Sequence, residues 1–128
     1  MSTRALIGKQ IGENEYLSIY LHHDGYVEYA GLILHDYYSM QERVDRLLAL
    51  GDMSVISQSP DDCSFYANDR KNPWEEVKPK TRTLQELCSE SWVYVWDGTQ
   101  WLGSESSMLN LVTIPELLNP QSSYEYSE

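Results

Sequence analysis

Alternation of apolar and polar positions is the clearest pattern near the start of the chain. Leu17, Ile19 and Leu21 occupy every second position, which is the spacing of a strand with one buried face. We therefore predict a strand over residues 15–22, paired with a strand over residues 4–9 across the turn-forming letters GENE. The two segments form a β-hairpin in this interpretation.

A second hairpin is predicted towards the end of the chain. The stretch WVYVWDGTQWLG places Asp97 and Gly98, a strong signal for a two-residue turn, between two apolar segments. Short strands are also predicted from the letters MSVIS and CSFYA, and a further strand over residues 107–112. Together with the first hairpin, these segments supply enough strands for a sheet.

Helical spacing appears in the middle of the chain. Residues 28–38 carry apolar side chains at intervals of three and four, which predicts a short helix. Residues 40–50 predict a second helix, in which Val44, Leu47 and Leu48 form one apolar stripe. Such a stripe is expected to pack against the sheet.

These elements favour an α+β fold, with a mainly antiparallel sheet and two to three helices packed on one face. The length of 128 residues suits one domain. We predict a single α+β domain over residues 1–118. Residues 119–128, with the polar sequence NPQSSYEYSE after Leu118, are predicted to form a flexible acidic tail.

Two of the predicted strands carry aromatic side chains on one face. Tyr16 and Tyr20 alternate with the aliphatic positions of the first hairpin. Trp92, Tyr94 and Trp96 occupy every second position in the second hairpin. If these strands are neighbours, the sheet has an aromatic face opposite the helices. That face is either covered by loops as a second small core or exposed as a contact surface.

The net charge of −11 is concentrated towards the end of the chain. Residues 83–128 contain seven acidic side chains and no Lys or Arg. An acidic field of this kind repels nucleic-acid phosphates and attracts basic surfaces. We therefore predict no direct binding of nucleic acid, and a basic host protein as the partner. The alternative is that the acidity only keeps a small protein in solution.

The sequence carries no signal for export, membrane insertion or a cofactor. Its first residues contain no apolar stretch suited to a signal peptide, and no window approaches a membrane span. Cys63 and Cys88 do not have a metal-ligand spacing and are interpreted as reduced thiols, which predicts the cytoplasm of a host cell. We predict no cofactor, no metal and no membrane partner, and the pattern does not indicate an oligomeric state.

The stretch YLHHDGYVEYAG is the most distinctive candidate site. Asp24 stands two residues after His22 and can orient its imidazole, but no nucleophile accompanies the pair in a recognised motif. His22 and His23, as adjacent strand residues, are expected to project to opposite faces, which disfavours a shared metal. The alternative is a turn in which Asp24 bonds to the backbone and Gly25 takes a positive φ. We predict no catalytic residue.

Several short motifs occur together in an order that resembles a known family. They are Ser2–Arg4, Tyr20, His22, Asp24–Tyr26, Leu50–Asp52 and Cys63–Arg70. Over residues 2–101 the chain resembles a family of small uncharacterised proteins carried by phages and prophages. His23 and Val27 depart from its pattern, since a Trp and a Pro are common at these positions. The resemblance implies a phage origin and no particular activity.

Two classes of function fit these features. The first is a phage-derived accessory protein of the anti-CRISPR or counter-defence kind, which binds and inhibits a host protein, such as a defence component. It would act through an acidic and aromatic surface, with mimicry of nucleic acid as one means. The second is a small-molecule or nucleotide-signal binding protein, or a weak enzyme using His22, Asp24 and Tyr26, with Arg70 as a further polar contact. The predicted partner-binding residues are Tyr20, His22, Asp24, Tyr26, Trp92, Tyr94, Trp96 and Glu105.

Overall fold

One sheet runs through the structure, a computed structural model that describes residues 2–119. In chain order its strands are β1 (Ala5–Gly12), β2 (Glu15–Leu21), β3 (Met53–Val55), β4 (Ser64–Phe65), β5 (Lys80–Arg82), β6 (Trp92–Trp96), β7 (Trp101–Glu105) and β8 (Val112–Thr113). The order across the sheet is β4-β3-β2-β1-β6-β7-β8, and β5 pairs with β2. Both predicted hairpins are present. The tail predicted over residues 119–128 lies outside the described residues beyond Asn119.

The sheet is mixed, because β1 runs parallel to β6 and β2 runs parallel to β3, while the other pairs are antiparallel. The α+β class is confirmed, and the two parallel pairs are a feature that hairpin signals do not predict. Ile7 lies opposite Tyr94 in the parallel pair and opposite Ile19 in the hairpin. The side chains of these three residues consequently share one face of the sheet.

The helices are short, and the two longest of them cover that face. In chain order the helices are α1 (Leu32–Tyr37), α2 (Gln41–Leu48), α3 (Tyr66–Asp69), α4 (Trp74–Val77), α5 (Leu84–Leu87) and α6 (Ile114–Leu118), with a π-helical turn over Val27–Gly31 before α1. The main core is the cluster that α1 and α2 form with the sheet, and Val44, Leu47 and Leu48 enter it as the apolar stripe predicts. Within residues 2–119, no helix is long and apolar enough to cross a membrane.

The opposite face of the sheet carries a second cluster, the small core. Leu6, Val93 and Val95 pack there against Leu87 of α5. Helices therefore lie on both faces of the sheet, with α1 and α2 on the main core and α5 on the small core. This arrangement buries the aliphatic face of β6 as well as its aromatic face.

The aromatic faces of β2 and β6 lie on opposite sides of the sheet, so the predicted common aromatic face is wrong. Tyr20 packs against the small core, whereas Tyr94 and Trp96 lie in the main core and are 0% and 2% exposed. The reason is the pairing of β1 with β6, which aligns Tyr94 with Ile7. Alternation separates the two faces of a strand, but it does not determine which of them meets a given face of a distant strand.

Candidate functional site

A tyrosine and a histidine at the end of β2 form the centre of the candidate site. Tyr20 and His22 stand two residues apart, on the side of the sheet that carries the small core. The hydroxyl of Tyr20 lies 2.6 Å from Nδ1 of His22. The N–H of His22 donates to the carbonyl of Met53 at 3.1 Å, and Oδ1 of Asp52 accepts from the N–H of Tyr20 at 2.9 Å. The backbone of the pair is therefore fixed by the neighbouring strand.

Arg4, the residue before β1, lies close enough to the Tyr20–His22 pair to act on it. Ala5 pairs with Leu21 in the hairpin register, so Arg4 and His22 are the next residues outward on the two strands. Leu6 points into the small core, and Arg4, two residues earlier, shares that face. The side chain of Arg4 is exposed and acts electrostatically on His22.

Arg70 approaches the pair from the turn that follows β4. The N–H of Tyr66, the first residue of α3, donates to the carbonyl of Asp52 at 3.1 Å, which ties α3 to the strand beside the site. The guanidinium of Arg70 lies over the Tyr66 ring, 5.4 Å from its centroid. Arg70 acts electrostatically on His22, and Tyr66 acts on Tyr20. A cation–π contact holds such a side chain while its charge stays in solvent.

The two arginines supply the positive charge of the site. No ion pair within residues 2–119 includes Arg4 or Arg70. Glu90 is the acid whose charge acts on His22. Two arginines and this one carboxylate thus act on His22, and Asp52 adds a second carboxylate beside Tyr20.

The surroundings of the pair determine its protonation at neutral pH. Burial raises the pKa of Tyr20 above its ordinary 10.0, an effect that Arg4 opposes and Glu90 reinforces. Burial, together with His23 and the two arginines, lowers the pKa of His22 below its ordinary 6.5. Both side chains are therefore uncharged at neutral pH, and one hydrogen bond joins the hydroxyl of Tyr20 to Nδ1 of His22.

His23 lies beside His22 and does not project to the opposite face as the strand pattern predicts. The ring centroids are 4.5 Å apart in an edge-to-face arrangement, because β2 ends at Leu21 and strand alternation ends with it. Oγ of Ser2 lies 2.9 Å from Nδ1 of His23, and the N–H of His23 donates to the carbonyl of Ser54 at 2.9 Å. Across residues 2–119, no three His, Cys, Asp or Glu side chains are grouped to hold a metal ion.

The rest of the turn does not join the site. Asp24 is exposed and takes the left-handed conformation with φ 57°, so the prediction of a positive φ at Gly25 is wrong. Gly25 is needed for space, since a Cβ there would lie 2.8 Å from the Cβ of Ala5. In the described part of the chain, no hydrogen bond joins the side chain of Asp24 or Tyr26 to the imidazole. Tyr20, and not Asp24, orients the histidine.

The burial of Tyr94 and Trp96 corrects their prediction as partner contacts. The hydroxyl of Tyr94 donates to the carbonyl of Gly25 at 2.7 Å, and Nε1 of Trp96 donates to a side chain of α2 at 3.0 Å. Both residues therefore hold the fold together. Trp92 is partly exposed and Glu105 is exposed, and these two line a separate groove beside β7 and β8.

Sequence reasoning singled out Tyr20, His22 and Arg70, but it did not place Arg4 and Tyr66 beside them. The signal was present, because these residues all belong to the motifs that carry the family resemblance. A comparison with family models, with curated proteins and with solved structures found no match for this chain. The phage resemblance stays a prediction. Chemically, the site offers two guanidinium groups, an imidazole and two phenol rings on one open surface.

Proposed function

We propose that the protein binds a small ligand of the phosphate class between Arg4, Arg70 and His22. The observation that carries the proposal is that two exposed guanidinium groups without ion-pair partners act on one imidazole. Guanidinium groups bind phosphate oxygens through paired N–H donors in a planar fork. The imidazole of His22 adds one more polar group that can contact the ligand.

Nucleotides are the members of this class that the site favours. The rings of Tyr20 and Tyr66 are partly exposed next to the cations. Bases stack on aromatic side chains with a gain of about 1–3 kcal/mol per base. We therefore infer tighter binding of a nucleotide than of inorganic phosphate, and a protein that binds such a signal without turnover acts as a sponge for it.

The experiment is calorimetric titration with inorganic phosphate, ADP and cyclic di-GMP. Arg4→Gln and Arg70→Gln remove one fork each, and we expect each to raise Kd by about tenfold or more. Arg46→Gln is the matched control, because Arg46 is an exposed arginine on α2, away from the site. Circular dichroism verifies that each variant is folded.

Two results would contradict the proposal. The first is the absence of binding by all three ligands at concentrations up to about 1 mM. The second is binding that Arg4→Gln and Arg70→Gln leave unchanged, which would place the anion elsewhere. If ADP and phosphate bind equally well, the phosphate site stands and the stacking contact does not.

We also infer that the protein works in the cytoplasm of a host cell. Cys63 and Cys88 are free thiols, which supports a reducing compartment. Fractionation of cells that express the protein tests this inference, and recovery from the periplasm or culture medium would contradict it.

A further inference from the structure

A groove of about 830 Å³ lies beside the last two strands of the sheet. Trp92, Met108, Val112 and Leu117 are among the apolar residues that line it. Met108 is 79% exposed, and Trp92 is stacked on Tyr94 with the two rings 6.4 Å apart and nearly parallel. The groove therefore combines a rigid aromatic wall with an apolar side chain that packing does not cover.

The rim of the groove is acidic. Glu28, Glu105 and Glu116 are exposed and line it, and none of its lining residues is Lys or Arg. Glu28 also acts electrostatically on the buried Tyr94 behind the groove wall. An apolar floor bounded by carboxylates is complementary to a segment that has both apolar and basic side chains.

The negative charge of the groove also indicates which class of molecule it binds. Residues 120–128 follow Asn119, which lines the groove, but they contain two glutamates and no basic residue. The same carboxylates repel the phosphates of a nucleic acid and of an anionic membrane. The occupant that matches is therefore a basic segment of another protein.

The geometry points to a docking site for a basic, amphipathic segment of a partner protein in this groove. The segment places an apolar side chain against Trp92 and Met108, and its lysines or arginines meet the glutamates of the rim. Buried aromatic and apolar contacts supply most of the affinity of such an interface, while rim charges speed association. None of the residues that form the phosphate site lines the groove, so the two sites are separate.

Fluorescence anisotropy with labelled peptides of Leu and Lys tests the docking site. One peptide repeats at helical spacing, one alternates as a strand, and a third has the same composition with the apolar pattern scrambled. We expect one of the two patterned peptides to bind with a Kd of about 10 µM or tighter, and the scrambled peptide to bind at least about tenfold more weakly. Raising NaCl from about 50 to 500 mM is expected to weaken the binding markedly.

Variants locate the bound peptide. Met108→Lys and the double change Glu28→Gln with Glu105→Gln are each expected to weaken binding by about tenfold or more. The matched controls are Met40→Lys and Glu13→Gln, since Met40 is 66% exposed and Glu13 is exposed in the first hairpin turn, both outside the groove. These controls are expected to bind as the unaltered protein does.

Four outcomes would overturn the docking site. They are no binding by either patterned peptide, equal binding by the scrambled peptide, binding that Met108→Lys leaves intact, and competition by single-stranded DNA.

A fifth outcome is that a second copy of this chain occupies the groove, because its segment 70–82 is itself basic. Sedimentation measures whether the protein forms such a dimer. A dimer that Met108→Lys dissociates would make the occupant this chain. Arg70→Gln alters the phosphate site and not the groove, so we expect it to leave peptide binding unchanged. Failure of the phosphate site can therefore be distinguished from failure of the docking site.

Discussion

The hydroxyl of Tyr94 donates a buried hydrogen bond of 2.7 Å to the carbonyl of Gly25. The bond joins the middle of β6 to the turn that follows the two histidines, across the main core. The N–H of Gly25 in turn donates to the carbonyl of Thr3 at 2.8 Å. The turn is thus held at both of its backbone polar groups by residues distant in sequence.

Replacing this tyrosine tests how much the anchor contributes. Tyr94→Phe leaves the carbonyl of Gly25 without its buried donor, so we expect the free energy of unfolding to fall by about 1–3 kcal/mol. Urea denaturation measures the change. Tyr37→Phe is the control, because Tyr37 is 41% exposed and its hydroxyl meets water. Equal stability of the two variants would show that the buried bond contributes nothing.

Gly25→Ala tests the close approach of the turn to β1. The added Cβ would lie 2.8 Å from the Cβ of Ala5 and 3.0 Å from backbone atoms of Thr3 and Arg4. We expect a loss of about 1–3 kcal/mol of stability, as for other overpacked sites. Combining it with Ala5→Gly removes the nearest contact, so the double variant should lose less than the sum of the two single changes. Simple additivity would mean that the turn moves away freely.

Asp52→Asn tests a half-buried carboxylate beside the site. Burial raises the pKa of Asp52 above its ordinary 3.8, although the N–H of Tyr20, Lys80 and Arg82 oppose the shift. A folded pKa above the unfolded one means that the charged carboxylate costs stability once the pH rises above the folded pKa. We expect Asp52→Asn to gain stability relative to the unaltered protein as pH rises from about 3 to 7.

The control for this prediction is Asp97, whose pKa is shifted in the opposite direction. Burial alone would raise the pKa of Asp97, but hydrogen bonds from Thr99 and Gln100 outweigh it and the pKa is lowered from 3.8. Asp97→Asn should therefore lose stability relative to the unaltered protein over the same rise in pH. Denaturation midpoints at several pH values measure both differences. Two curves of the same sign would contradict the assignment of these environments.

The phosphate site is expected to gain affinity as His22 becomes protonated. Sulfate is the suitable probe because its charge does not change between about pH 7.5 and 5.5. His22 faces Tyr20, His23, Arg4, Arg70 and Glu90. Its pKa lies below 6.5, so sulfate affinity should rise as the pH falls, by up to about 30-fold, the effect in water of one unit charge about 4 Å from a dianion.

Two variants assign the pH dependence to one histidine. His22→Gln should flatten the rise in sulfate affinity, whereas His23→Gln should retain it, because Arg4 and Arg70 both act on the imidazole of His22. Calorimetry at matched ionic strength measures both. A rise that persists in His22→Gln would assign the titration to another group.

Local patterns predicted the parts of the fold that neighbouring residues determine. The hairpin around Asp97 and Gly98 forms with a φ of 107° at the glycine, and the stripe of α2 packs as its spacing predicts. The loop has four residues and not the predicted two, because Trp96 pairs with Trp101. The side on which Tyr94 lies could not be predicted, because it depends on the register between residues 5–9 and 92–96. That register arises from packing between distant segments and leaves no periodic signal in either one.

The candidate site likewise has a part that the local sequence predicts and a part that depends on contacts between distant segments. Tyr20 and His22 are predictable as neighbours, since residues two apart on a strand share a face. Arg4 and Arg70 join them only through the pairing of β1 with β2 and the turn after β4. Charge counting also pointed away from the site, because an overall excess of acid conceals two arginines that act on one imidazole.

The parallel contact between β1 and β6 constrains how the protein can fold during its synthesis. Residues 5–9 leave the ribosome early, yet their partners at 92–96 are translated only after most of the chain has been made. The first hairpin can form alone, but the outer edge of β1 stays unpaired until β6 arrives. A nascent chain stalled before residue 92 should therefore bind chaperones and be cut by proteases, and one extended past residue 105 should resist both.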